Sequence, residues 1–282
     1  MQIVAKSPAD LTITPRDRRF GRGVRTARWW FDGDPYATAF HNALSVTFPR
    51  GEAFFIESVK AHRAGVPPKL AAEIKAFVMQ EVMHTREHVA FNNRVTEAGY
   101  DVSLLERHVE EALALTKGRP AILNLAVTMA LEHYTAILAQ VMLDHDRYWD
   151  GADAESVAMW KWHAVEEIEH KGVAYDTWLH ATRDWTRGKR WRVKAIMMLL
   201  VSYRFWTRRW MGAMELLRQD GITGWTARLG LLKHLFVRPG LIRRALPAWL
   251  AFFLPGFHPW NHDDRALIAK VDSVYPDARL AA

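Results

Sequence analysis

Glu81 and His84 stand three positions apart, and Glu167 and His170 repeat that spacing 86 residues later. On an α-helix each residue advances by about 100°, so a Glu and a His at i and i+3 share one face, one turn apart. Both side chains then reach one point in a helical core. Two such helices, each with a Glu-x-x-His pair, are how a four-helix bundle holds two metal ions; a single Glu from each of two further helices completes the site. His163 precedes Glu167 by four residues and His170 by seven, which brings all three within roughly 60° of one another. His88 follows Glu81 by seven and returns to the same stripe, as a residue facing either the ligands or a substrate.

The remaining two carboxylates must come from other helices. Pro120 opens an apolar run, AILNLAVTMALEHYTAILAQVML, whose one internal carboxylate is Glu132. Burying a lone carboxylate among Ala, Leu, Val and Met is costly unless something positive meets it. A carboxylate satisfied by N–H donors is the bland alternative there. Upstream, the segment from Tyr36 to about Ala64 carries Glu52 and Glu57, with Pro49 and Gly51 kinking or restarting the helix. Either Glu52 or Glu57 supplies the last ligand. Glu87, Glu166 and Glu169 are expected to face outward, and His88 to be a hydrogen-bonded core histidine.

The stretches FPRGEAFFIESV, FVMQEVMHTREH, ALEHYTA and WHAVEEIEHKGVAYD resemble a bacterial family of predicted metal-dependent hydrolases. They lie between about residues 40 and 180. The resemblance implies an all-α, ferritin-like four-helix bundle with additional C-terminal helices, and it favours Glu52 over Glu57. The order Glu, Glu-x-x-His, Glu, His-x-x-x-Glu-x-x-His is also similar to that of the di-iron para-aminobenzoate N-oxygenases. The expected ligand set is therefore Glu52, Glu81, His84, Glu132, His163, Glu167 and His170, with His88 beside it.

Four carboxylates balance the charge of two divalent cations, and neutral imidazoles complete the coordination, each oriented by an outer hydrogen bond. Zinc sites favour His and Cys with few ligands and an open position, whereas an oxygen-rich set suits iron or manganese. The main expectation is thus an oxidoreductase that activates dioxygen at a di-iron or iron–manganese pair, acting on a small or amphiphilic organic substrate. Dinuclear metal-dependent hydrolysis is the alternative. A non-catalytic metal-binding protein and a membrane interaction protein stabilised by its metals are further readings.

Helical periodicity dominates the elements that must position these groups. Pro67-Pro68 precede a helix ending near Gly99, Asp101 or Ser103 opens the next, and Gly118-Arg119-Pro120 punctuates before the Glu132 helix. The helix carrying His163 is expected from about Asp153 to about Asp184. Strand-like alternation is confined to short pieces such as Leu11-Thr12-Ile13. The organisation read from the sequence is a basic extension over residues 1–35, a dimetal bundle over 36–186, and basic, Trp-rich helices over 187–282 packed on the bundle, in a single domain.

With 282 residues, half of them hydrophobic, the chain buries a large core. Its lack of cysteine excludes disulfides, iron–sulfur clusters and thiol catalysis. The first residues lack the basic-then-apolar layout of a secretory signal, so a cytoplasmic location is expected. Residues 190–244 carry twelve Lys and Arg against Glu215 and Asp220, a net +10 in a chain of net +7. Trp191, Trp206, Trp210, Trp225 and Trp249 are interleaved with that charge. Such a surface suits peripheral contact with an anionic membrane face, while packing on the bundle or a homodimer interface is the competing reading. The C-terminal apolar runs are shorter than the roughly 20 residues a bilayer requires. Nucleic acid is the weakest partner, since the basic residues alternate with large apolar ones.

Overall fold

A computed structural model describes residues 7–145 and 147–274, with the side chains of 273 and 274 excepted. Among these residues there are eleven α-helices and no strand, only an isolated bridge between Phe31 and Ala152. The fold is an all-α helical bundle.

The first helices are α1 (Pro35–Ser45) and α2 (Phe48–Lys60). Pro49 has no N–H for the carbonyl of Ser45, and its ring would crowd that carbonyl, so the helix breaks at Val46-Thr47. The freed Ser45 carbonyl accepts instead from Asn92 Nδ2 at 3.3 Å. Next come α3 (Pro68–Glu97), α4 (Ser103–Ala114) and α5 (Ala121–Asp144). Pro68 sits in the first turn of α3, where its missing N–H has no helical partner to lose.

The helix expected to run from Asp153 to Asp184 is two helices, α6 (Ala154–His170) and α7 (Val173–Ala181). Asp153 caps α6 by accepting from Ser156 N at 2.9 Å. The break falls at Lys171-Gly172. A Cβ on Gly172 would collide with Ser7 Oγ and meet Trp260 at 3.0 Å, so glycine there lets both chain ends approach. Lys171 turns outward to Asp264 at 2.5 Å and to the carbonyl of His262 at 2.8 Å.

Four of these helices close a ring: α2 packs on α3 and α5, α5 on α6, and α6 on α3. By length and composition α5 alone would be apolar enough to cross a bilayer. It packs instead against α2, α6, α7 and the C-terminal helices, and Leu125, Ala126, Met129 and Ala130 are fully buried. It is the core helix of the bundle. The C-terminal third adds α8 (Arg187–Gln219), α9 (Gly224–Phe236), α10 (Leu241–Ala251) and α11 (Arg265–Val274). Helix α8 lies along α1 and α5, α10 along α5 and α9, and α11 along α6.

Residues 7–27 form an irregular strap rather than a strand, Leu11-Thr12-Ile13 included. An extended segment without a ladder must find partners for its N–H groups elsewhere. Here they are carboxylates: Thr14 N donates to Glu169 at 3.2 Å, Arg16 N to Glu166 at 2.9 Å and Phe20 N to Glu87 at 2.9 Å. The expectation that these three glutamates face solvent is therefore wrong. Glu166 is 0%, Glu87 1% and Glu169 3% exposed. They do leave the metal-facing side of their helices, but the strap covers the side they leave by.

Candidate metal centre

Helices α2, α3, α5 and α6 turn Glu52, Glu81, His84, Glu132, His163, Glu167 and His170 into one buried cluster at the bundle axis, none more than 3% exposed. Glu57, five residues beyond Glu52 and so about 140° around α2, points to solvent beside Lys60, with its side chain 76% exposed.

The donor atoms divide into two groups. Around His170 Nε2 gather Glu81 Oε1 at 3.4 Å, Glu132 Oε2 at 3.5 Å and Glu167 Oε2 at 3.3 Å. Around His84 Nδ1 gather Glu81 Oε2 and Glu167 Oε1, both at 3.8 Å. His163 Nε2 lies 2.8 Å from that same Glu167 oxygen, and a Glu52 oxygen falls within 4.8 Å of donor atoms of Glu81 and His84. Glu81 and Glu167 thus present one oxygen to each group, as bridging carboxylates do.

Metal–ligand bonds of about 2.1 Å give polyhedron edges of roughly 3.0–3.4 Å. The gaps around His170, 3.3–3.5 Å, are close to that size, while those at His84 Nδ1, 3.8 Å, are wider. Moreover, both oxygens of Glu81, both of Glu132, Glu52 Oε1 and His84 Nδ1 are buried without any hydrogen-bond partner. Unpaired buried polar atoms are rare because each costs about 1–3 kcal/mol or more. Six of them aimed at one space fit two cations. Burial, then mutual repulsion, pushes Glu81 and Glu132 well above the ordinary carboxylate range; burial does the same to Glu52 against a hydrogen bond from Thr85. Glu167 suffers the same burial, but His170 and His163 outweigh it and hold its pKa low.

A second tier holds the ligands in place. Burial pushes His84 well below its usual range, keeping the ring neutral, with Nε2 donating to Glu166 Oε2 at 3.0 Å and Nδ1 free for a metal. His170 Nδ1 meets Gln80 Oε1 at 3.0 Å, and Gln80 Nε2 in turn donates to Glu169 at 2.9 Å. Thr85 Oγ1 donates to Glu52 Oε2 at 2.8 Å. His88 joins His163 Nδ1 at 2.7 Å through Nε2 and Ser45 Oγ at 2.8 Å through Nδ1, so it orients His163. His88 also falls in a possible ligand group with Glu52 and His163.

The chain belongs to the predicted metal-dependent hydrolase family. The family model matches residues 14–263, from the strap to the loop before α11. No curated protein and no solved structure matches the chain. In this hydrolase-family chain the match begins at Thr14, the first residue of the strap bonded to the metal centre's supporting carboxylates.

Gln80, Thr85, Ser45 and Arg16 were not singled out from sequence, and Glu166 was expected to face outward. Glu166 and Gln80 each stand next to a ligand, but neighbours on a helix point about 100° apart, so spacing alone hides their role. Arg16 is 4% exposed and holds Glu169 at 2.7 Å and Glu166 at 3.7 Å. Removing one partner of such a buried ion pair leaves the other uncompensated. Arg16→Met is expected to cost roughly 3–5 kcal/mol of stability, read from denaturant midpoints. A loss below about 1 kcal/mol, the range of exposed pairs, would mean that the strap does not anchor these carboxylates.

Proposed function

We propose that the protein is a dinuclear metal-dependent hydrolase. The observation that supports this most is the set of six unpartnered donor atoms from Glu52, Glu81, His84 and Glu132 converging between two shared carboxylates. The family's description points to hydrolysis over the dioxygen chemistry expected from donor hardness alone. Glu81, Glu132, Glu167 and His170 would hold one ion, and Glu52, Glu81, His84, His163 and Glu167 the other. A bound metal pair would polarise the scissile group and supply a nucleophilic water near neutral pH.

The chain's own residues set the conditions for that reaction. Gln80 and Glu166 fix the tautomers and ring orientations of His170 and His84. Phe48 packs against His88 and His163 with ring centroids 4.4 and 4.6 Å away, and Trp162 against His84 at 5.0 Å. These aromatic walls exclude bulk water and strengthen every charge interaction inside.

The second reading, an oxidative di-iron or iron–manganese enzyme, is favoured by one observation, the hard set of four carboxylates. Elemental analysis of the purified protein, joined to assays on aryl esters, amides and phosphoesters with and without chelator, separates the two. Roughly two ions per chain, chelator-sensitive cleavage and no spectral response to dioxygen support hydrolysis. An oxygen-dependent change in an iron-loaded sample without cleavage moves the assignment to oxidation.

The C-terminal surface supports a site worked at an anionic membrane. Tyr203 is 72%, Trp225 71%, Leu254 60% and Leu229 59% exposed, amid the excess of Arg and Lys on α8–α10. Trp and Arg are favoured in the headgroup region and anionic lipid attracts the charge. Co-sedimentation with anionic but not zwitterionic vesicles is the expected result; a tight dimer that ignores both would replace this reading.

A further inference from the structure

A cavity of about 390 Å³ opens between α2, α4, α5 and α8 and reaches His163 and Glu167 at its inner end. Its volume lies in the range of pockets that enclose drug-sized ligands, about 300–1,000 Å³. The walls are largely apolar, with Phe54, Phe55, Val127, Leu131 and Leu138 among them.

One group in this wall does not belong to an apolar pocket. Arg209 lines the cavity and is 8% exposed, yet no carboxylate among the described residues pairs with it. Its Nη1 donates to Thr47 Oγ1 at 2.5 Å, and its Nε is buried with no partner at all. Its neighbour Arg208 pairs instead with Glu111 at 3.0 Å. Burial, with some help from Arg208, pushes the Arg209 guanidinium down to about 9. His108 lines the same wall with an unpartnered, buried Nδ1. A buried cation without a counter-ion costs several kcal/mol, and that cost is relieved when an anion enters.

We propose that this cavity binds an organic anion with an apolar body, its acidic group on Arg209 and its other end at the metal centre. Thr47, which anchors Arg209, precedes Glu52 by five residues, about 7.5 Å along α2 at 1.5 Å per residue. The acidic group is thereby held at the Thr47 end of α2, away from the His163 and Glu167 end of the cavity. Resting on the hydrolase reading, the inference makes the substrate an apolar ester or amide that carries a carboxylate or phosphate at that remove. Water adds across the bond: its hydroxyl stays with the acyl carbon, its proton goes to the leaving oxygen or nitrogen, and no electrons are exchanged. Leu200 lines the cavity and is 52% exposed on the apolar, basic face of α8, so the mouth opens where an amphiphile would arrive.

Binding tests this without turnover, so failure of the hydrolase reading leaves the outcome interpretable. Dodecanoate, dodecyl phosphate and neutral dodecan-1-ol are titrated into the metal-loaded protein by calorimetry, below their micelle concentrations. Both anions are expected to bind at least about tenfold more tightly than the alcohol, as a charge-assisted hydrogen bond requires. The stronger of the two identifies the acidic group as carboxylate or phosphate. R209M should erase the preference for anions while still binding the alcohol, and R209K should keep part of it. Equal affinity for anion and alcohol in the unsubstituted protein, which needs no variant to fold, overturns the proposal. An anion preference that survives in R209M overturns it as well.

Discussion

Glu81→Ala and Glu167→Ala are each expected to empty both metal subsites, whereas Glu132→Ala empties one and Glu57→Ala neither. The difference follows from which oxygens face which imidazole. Glu81 sends Oε1 toward His170 and Oε2 toward His84, and Glu167 divides its oxygens in the same way. Removing either takes a ligand from two ions at once and leaves each with too little negative charge to balance a divalent cation. Glu132 approaches only His170. Metal content after dialysis should fall from roughly two ions per chain to near none in the first pair and to about half in Glu132→Ala. Gln80→Leu removes only the partner of His170 and should weaken binding by about 10–100-fold. Equal loss in Glu81→Ala and Glu132→Ala would show that the two subsites do not share Glu81.

Stripping the metals should produce the largest change in stability, and its dependence on pH carries the sign of the buried carboxylates. An ion held at about 1,000 times its dissociation constant stabilises the folded state by about 4 kcal/mol. For a chain of this size each kcal/mol moves the midpoint by roughly 2–4 °C. In the metal-free protein, burial holds Glu52, Glu81 and Glu132 well above the ordinary carboxylate value of 4.5 that they regain on unfolding. Such groups contribute fully below that value, and the contribution is lost as pH rises through their raised values. Below about pH 7 the buried His41, His84, His88, His133 and His234, held neutral in the fold, oppose this trend. Above it they are neutral in both states, so the metal-free protein should weaken from about pH 7 to pH 8, while the loaded protein, whose cations hold the carboxylates ionised, does not. Melting curves with and without chelator across that range measure this. A chelated protein that is as stable as the loaded one at pH 8 would make the site incompatible with metal.

The all-α fold was legible in the 3.6-residue periodicity and in the punctuation at Pro67-Pro68 and Gly118-Arg119-Pro120, because each mark acts locally on the helix it borders. What sequence could not give was anything decided by a distant segment. Glu52 and Glu57 are equivalent until the break at Val46-Thr47 sets the rotation of α2. Glu87, Glu166 and Glu169 looked like a solvated helix face since nothing local says that residues 14–20 lie across it. The interruption at Gly172 depends on Ser7 and Trp260, both far away in the chain. Glu169 accepts from Gln80, the partner of His170, so Glu169→Ala should loosen the ligand set as well.

The strap has a consequence for the order in which the protein is made. The Arg16 backbone amide meets Glu166, a partner 150 residues downstream. At a synthesis rate of about 5–20 residues per second, residues 14–20 wait roughly 8–30 s after their own synthesis for α6 to exist. Contacts of such long range also form late in folding, since loop closure must precede any reward. Helices made before α6 can thus associate while the strap is still unpaired, and the strap docks on Glu166 and Glu169 afterwards. Ions would enter a nascent bundle that is still uncovered, and a segment translated well before α6 would be the one that seals them in.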